Sequence, residues 1–293
     1  MKISVVICTM AARGEDLARA LASLVEARDI ARHEVIVVAE RGEAIEPLVA
    51  PFRDRLPLRT AFAPTRGLSD KRNVGVGEAN GDVVAFLDDD AQATVDYLPV
   101  LAAAFEAGAE AVAGGLEPVF DVPLPDELRP VAFRIGGFNL FEGQRRPDGW
   151  IGANCAFRRD RLRASGPFDR RLGAGSGFLP WGDDAEMFRR FVPHGVAFVP
   201  DALVRHRIQA ERLTREYVLT RAWQSGRTQA VIDRLHQPDF WQRAAWVPMN
   251  WLIANLARLR PGSGLEARLH ARRLGGYGWQ TVLLAVQGLP PVA

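Results

Sequence analysis

Apolar positions in the first hundred residues come in short β-rich runs, each followed by a stretch at helical spacing. Ile3–Cys8 is the first run, after which Leu17, Leu21, Leu24 and Val25 recur at helical intervals. Residues 34–39 (EVIVVA) predict a second strand, Leu58–Ala63 a weaker third, and Val83–Leu87 a fourth. Before the fourth, Ser69 is placed to cap a helix running to Ala79, with Gly81 just past its end. Residues 97–107 read as helix and 110–115 as strand. Strands at this spacing, each followed by a helix, predict an α/β fold with a mainly parallel, doubly wound sheet. Such sheets bind ligands beyond the carboxyl ends of their strands.

The pattern changes twice further on. Residues 116–182 are rich in Gly, Pro and aromatics and weakly periodic. Within them, 150–157 (WIGANCAF) read as a strand and 173–181 (GAGSGFLPW) as a mobile loop. Asp183–Phe191 predicts a helix with acids in its first turn, and 196–199 and 202–206 predict two short strands. From about residue 211 the spacing is helical, with Tyr217, Val218 and Trp223 among Arg212, Arg215, Arg221 and Arg227. Charge follows the same division: 1–204 carry net −6, 205–273 net +8, and the last twenty residues no charge.

With 48% hydrophobic and 25% charged residues, the 293-residue chain is globular, and wholesale disorder is excluded. A net charge of +2 marks no nucleic-acid binder. Cys8 and Cys155 fit no metal or redox spacing and read as buried free thiols, consistent with a cytoplasmic, reducing setting. No run approaches the ~18 apolar residues a membrane span needs. Of the 37 basic residues only Lys2 and Lys71 are lysine.

Five clusters carry candidate chemistry. Asp88-Asp89-Asp90 ends the fourth strand, where adjacent carboxylates suit a hard cation, although an acidic turn fits them too. Gln92 and Ala93 exclude the D-x-D-x-[TV] and D-D-x-x-D patterns. The segment 67–73 (GLSDKRN) opens a helix, a site that attracts anions, with Lys71 and Arg72 adding charge. Asp183 and Asp184 open a helix below the Gly-rich loop, where a carboxylate can serve as general base or simply favour the helix dipole. His206 follows as a metal-ligand candidate or a structural histidine. Trp150, Asn154 and Trp181 can stack on or bond to a sugar, or pack in a core.

In combination these segments resemble a family 2 glycosyltransferase of the GT-A fold. SVVICTMAAR, EVIVVAE, GLSDKRNVGVGEANGDVVAFLDDDA, WIGANCAFRRDRL and FLPWGDDAEMFRRF carry the likeness, over roughly 1–210. The resemblance implies a catalytic domain over 1–210, with a nucleotide-binding half (1–115) and an acceptor half (116–210). It implies nucleotide-sugar contacts from Thr9, Arg13, Glu40, Arg72, Asp88 and Asp89. Glu40 stands where the family usually has Asp. It implies Mn²⁺ or Mg²⁺ held by Asp90 and His206, and Asp184 as the base. Trp150, Asn154, Trp181 and Asp183 are then acceptor or sugar contacts. The implied reaction is metal-dependent inverting transfer from a nucleotide-diphosphate sugar, UDP-linked by default, to a glycan, glycolipid or small-molecule hydroxyl.

Two other classes fit less of the sequence. A sugar-nucleotide pyrophosphorylase would carry a Gly-rich loop ending in a basic residue, where this chain has TMAARGED. A non-catalytic carbohydrate- or partner-binding protein would have no need of the acidic clusters. Residues 211–293 form a basic, aromatic helical extension outside the resemblance. It is a candidate for peripheral contact with an anionic membrane surface or for a homodimer interface.

Overall fold

The computed structural model describes residues 1–147, 151–257 and 264–292. The chain divides into two compact units. The first comprises 1–119, 137–170 and 183–207; the second comprises 120–136, 171–182 and 208–293.

The first unit is built on strands β1 (Ile3–Cys8), β2 (Glu34–Glu40), β3 (Leu58–Ala63) and β4 (Val83–Leu87). Their order is β3-β2-β1-β4, and all three pairings are parallel. β1, β2 and β4 are apolar on both faces because helices cover both sides, so each reads as a continuous run rather than an alternation. The Leu68–Glu78 helix lies tightly on β1: a Cβ at Gly75 would come within 2.4 Å of Val6 Cγ1. Its cap is the extended Gly67, and Ser69 is buried inside the first turn rather than capping it.

The eight-stranded sheet continues past β4 as β9-β6-β10-β5. β5 is Ala91–Ala93, β6 Ala111–Phe120, β9 Asn154–Arg158 and β10 Val196–Ile208, and Leu140–Phe141 (β7) pairs with Gln144–Arg145 (β8) as a separate hairpin. β9 runs antiparallel to both β4 and β6. The two short strands expected over 196–206 are one strand of 13 residues, since the fixed φ of Pro200 is compatible with extended chain. The Asp183–Phe191 helix begins where the acids predict and buries Met187, Phe188 and Phe191. These pack with Phe86, Phe157 and Phe168 in one core cluster.

In the second unit the Arg215–His236 and Leu265–Gln287 helices cross at glycines. A Cβ at Gly226 would lie 1.9 Å from the Arg273 carbonyl oxygen, and one at Gly276 would lie 2.0 Å from that of Trp223. The loop over 173–181 is tied at both ends: Leu172 and Leu179 are buried and bridged, and Ser176 Oγ donates to Leu179 O at 2.9 Å.

Candidate active site

The site lies at the carboxyl edge of β1 and β4 in the first unit. After β4 the chain turns tightly, with Ala91 N–H donating to Asp88 O at 3.1 Å. β5 then pairs antiparallel with β10, in a register that sets His206 opposite Ala91. That pairing brings His206 beside Asp90, with Nε2 at 2.9 Å from Oδ1. A carbonyl can only accept, so His206 Nδ1 donates to Gly137 O, 2.5 Å away. The 2.9 Å contact between Nε2 and Asp90 then calls for a proton on Nε2 as well, and a bound cation would take that proton's place and use the Nε2 lone pair.

Ligand atoms of Asp88, Asp90 and His206 lie within 4.8 Å of one another. Two carboxylate oxygens and one imidazole form a donor set that suits a divalent cation such as Mn²⁺ or Mg²⁺. Asp89 is directed away from this trio. Its Oδ2 accepts from Thr9 Oγ1 at 2.8 Å and its Oδ1 from Arg13 Nη1 at 2.6 Å. Arg13 Nη2 also reaches Asp90 Oδ2 at 2.8 Å, so one guanidinium spans two of the three carboxylates. Burial pushes Asp89 up to about 7 against the pull of Arg13. Asp88 is raised too, by burial first, with Arg72 opposing and Asp90 reinforcing.

Arg72 lies on the buried side of the same edge. Its Nη1 donates to Asp183, its Nη2 is 3.7 Å from Asp88 Oδ1, and its guanidinium sits 5.6 Å from the Phe86 ring and 5.7 Å from that of Phe168. Burial alone would lower its pKa, but Asp183 and Asp88 hold it well above the ordinary arginine value. Asp183 itself is pushed up to about 6, by burial first, with Arg72 pulling down and Asp184 pushing up. Asp184 is half-buried, and its Oδ2 accepts from Gly152 N–H at 2.6 Å.

The other expected positions fall as follows. Glu40 ends β2 and lies 3.9 Å from Arg66. Asn154 is buried and donates to Gly115 O at 2.9 Å and Ala202 O at 2.8 Å, which locks β9 to neighbouring chain in the sheet. Trp181 belongs to the second unit, where Arg221 stacks over its ring at 5.2 Å. Trp150 lies outside the described residues. Lys71 turns inward, and its Nζ donates to Thr9 O at 2.8 Å. Both cysteines are free; burial holds Cys155 well above the usual thiol range and pushes Cys8 up to about 12.

Two contributors have little sequence signal. One is the Gly137 carbonyl that orients His206, which only the fold brings near. The other is Gly152, where a Cβ would stand 2.2 Å from Arg72 Nη2. Its glycine identity beside Ala153-Asn154 is the trace that such a close approach leaves.

The model of Glycosyl transferase family 2 matches residues 4–164, more than half of the chain. The chain belongs to that family. Two curated relatives are similar over most of their length. Glucosyl-dolichyl phosphate glucuronosyltransferase of Haloferax volcanii is 27% identical over 272 residues, covering 89% of this chain and 86% of the relative. Succinoglycan biosynthesis protein ExoM of Rhizobium meliloti is 29% identical over 237 residues, covering 78% and 74%. Among solved structures, S. aureus TarS 1-349 with UDP superposes with a TM-score of 0.56 at 17% identity, covering 99% of this chain and 92% of that one. Mannosyltransferase PcManGT from Pyrobaculum calidifontis, in complex with GDP-Man and Mn²⁺, gives 0.53 at 16%, covering 99% and 76%. These structures share the GT-A fold with this family 2 glycosyltransferase, whose donors are sugar nucleotides.

Proposed function

We propose that this family 2 glycosyltransferase catalyses metal-dependent, inverting transfer from a nucleotide-diphosphate sugar, UDP-linked by default, to a hydroxyl of a glycan or glycolipid. The observation that carries this reading is the meeting of Asp88, Asp90 and His206 at one strand edge where Asp184 is held by Gly152 N–H. A divalent ion there would neutralise the charge on the departing diphosphate. Asp90 and His206 would hold it, with Asp88 completing the set on the side of the ribose. Thr9, Arg13, Glu40 and Asp89 shape the nucleotide end, and Arg72 sets the charge between Asp88 and Asp183.

Asp184 takes the proton of the acceptor hydroxyl as its oxygen attacks the anomeric carbon. Gly152 N–H on Oδ2 and Ala185 N–H on Oδ1, at 2.7 Å, fix the orientation of the carboxylate, whose remaining lone pairs face the acceptor. Direct attack opposite the leaving group inverts the anomeric centre. The reaction is assigned to the first unit, and the described helices beyond residue 211 lie outside it. Two free thiols fit a reducing, cytoplasmic setting. The relatives, one named for a glucosyl-dolichyl phosphate and one for succinoglycan biosynthesis, support a growing glycan as acceptor.

Thermal shifts with UDP, GDP, TDP and CDP, each with and without Mn²⁺, test this reading. A metal-dependent rise with one nucleotide names the donor class. No rise with any of them, in folded protein, would overturn it.

A further inference from the structure

In the second unit, the Val247–Ala257 helix has its polarity inverted relative to an ordinary surface helix. Val247 and Ala254 face inward and are buried. Met249, Leu252, Ile253 and Leu256, at helical spacing on the opposite face, are 53%, 47%, 57% and 57% exposed. No charged residue occurs from Ala244 to Ala257. The helix crosses the Leu265–Gln287 helix closely: a Cβ at Gly278 would lie 3.2 Å from Val247 Cγ1, and one at Gly275 would lie 3.1 Å from Trp251 Nε1.

The longer helix carries an exposed strip of its own on the side where Gly275 meets the shorter one. Arg268, Arg272, Trp279, Val282 and Val286 project from one face, since their spacings of 4, 7, 3 and 4 keep them within half a turn, and all five are exposed. One end of that face is basic and the other apolar. Trp246, at the head of the shorter helix, is 68% exposed. Large apolar side chains with tryptophan and an arginine border form the composition of a segment lying in a headgroup layer. No described helix is long and apolar enough to cross a membrane.

We propose that this face docks on an anionic lipid surface, with Met249, Leu252, Ile253 and Leu256 entering the acyl boundary and Arg268 and Arg272 meeting phosphate headgroups. Charge decides between a bilayer and a second copy. A two-fold contact would set Arg268 and Arg272 against their own copies, in a unit whose segments 120–136, 171–182 and 208–293 carry net +6. An anionic surface is complementary to it. The docking is independent of which donor or reaction the first unit supports.

Co-sedimentation of the full chain with phosphatidylcholine and with phosphatidylcholine–phosphatidylglycerol vesicles tests this inference. Binding is expected with the anionic vesicles. It should weaken by about tenfold or more in Ile253→Glu/Leu256→Glu and in Arg268→Glu/Arg272→Glu. These side chains are exposed, and melting curves check that the variants fold; Ile253→Gln/Leu256→Gln replaces the first pair if it does not. Absence of vesicle binding by the parent chain, or equal binding by folded variants, overturns the inference. So does a concentration-dependent dimer that the same substitutions dissolve while vesicles bind nothing, which would assign the face to a second copy.

Discussion

The guanidinium of Arg72 donates to Asp183, 111 residues further along the chain, and both side chains are almost fully buried. Removing one member leaves the other charge buried and under-compensated, which costs more than the pair gains. Arg72→Met is expected to destabilise by about 3–5 kcal/mol in urea unfolding. Asp183→Asn combined with it should cost less than the two single effects added. Strict additivity would dissolve the pairing.

Asp184→Asn keeps the shape of the side chain and removes its basicity. Turnover should fall on the order of a thousandfold, within the range for losing a general base. Nucleotide-dependent thermal shifts should remain, because the carboxylate trio is untouched. A variant that turns over normally would remove Asp184 from the reaction.

Asp90→Ala removes a carboxylate that lies 2.9 Å from His206 Nε2 and 2.8 Å from Arg13 Nη2. Titration calorimetry with Mn²⁺ and the preferred nucleotide should show at least about tenfold weaker metal affinity. Unchanged affinity would place the ion elsewhere.

Much of the fold is legible in the residues because burial on both faces leaves uninterrupted apolar runs, as in β1, β2 and β4. The acids of Asp183 and Asp184 likewise mark a helix start that the structure repeats. Strand direction is not legible. The run over 154–158 looks the same whether it runs with β4 or against it, and tertiary pairing chooses antiparallel. β5 is too short to leave a pattern, yet it delivers His206 to Asp90. The Arg72–Asp183 pair is hidden for another reason: 35 of the 37 basic residues are arginine, so residue type alone singles out none.

Glu34 gives a pH prediction. Burial by itself raises its pKa, but the Ser4 hydroxyl and Asn80 N–H, with Lys2 and Arg59, bring the result below the ordinary 4.5. A depressed carboxylate pKa stabilises the fold above 4.5, and the contribution is lost as pH falls through the lower folded value. Glu34→Gln should therefore cost about 1–2 kcal/mol at neutral pH. Melting curves taken down the pH scale should converge with the parent only in acid. A constant difference across that range would contradict the assignment.

Gly226→Ala tests the helix crossing in the second unit. A methyl placed 1.9 Å from the Arg273 carbonyl forces the helices apart. A loss of about 1–3 kcal/mol is expected in thermal or denaturant unfolding. An unchanged midpoint would mean that the crossing is looser than the structure has it.

The insertion of β9 between β4 and β6 has a consequence for synthesis. While the chain grows from its amino end, β1 to β4 can pair as soon as they emerge, yet β4 keeps an open edge until residues 154–158 arrive to cover it. The carboxylates that follow β4 wait longer still, since His206 reaches them only through the pairing of 91–93 with 204–206. Contacts so distant in sequence form slowly, and exposed strand edges are prone to aggregation in the interval. A nascent chain stopped short of residue 206 holds β1 to β4 but lacks the third member of the Asp88–Asp90–His206 cluster, so the cation site proposed there is completed late and in one step.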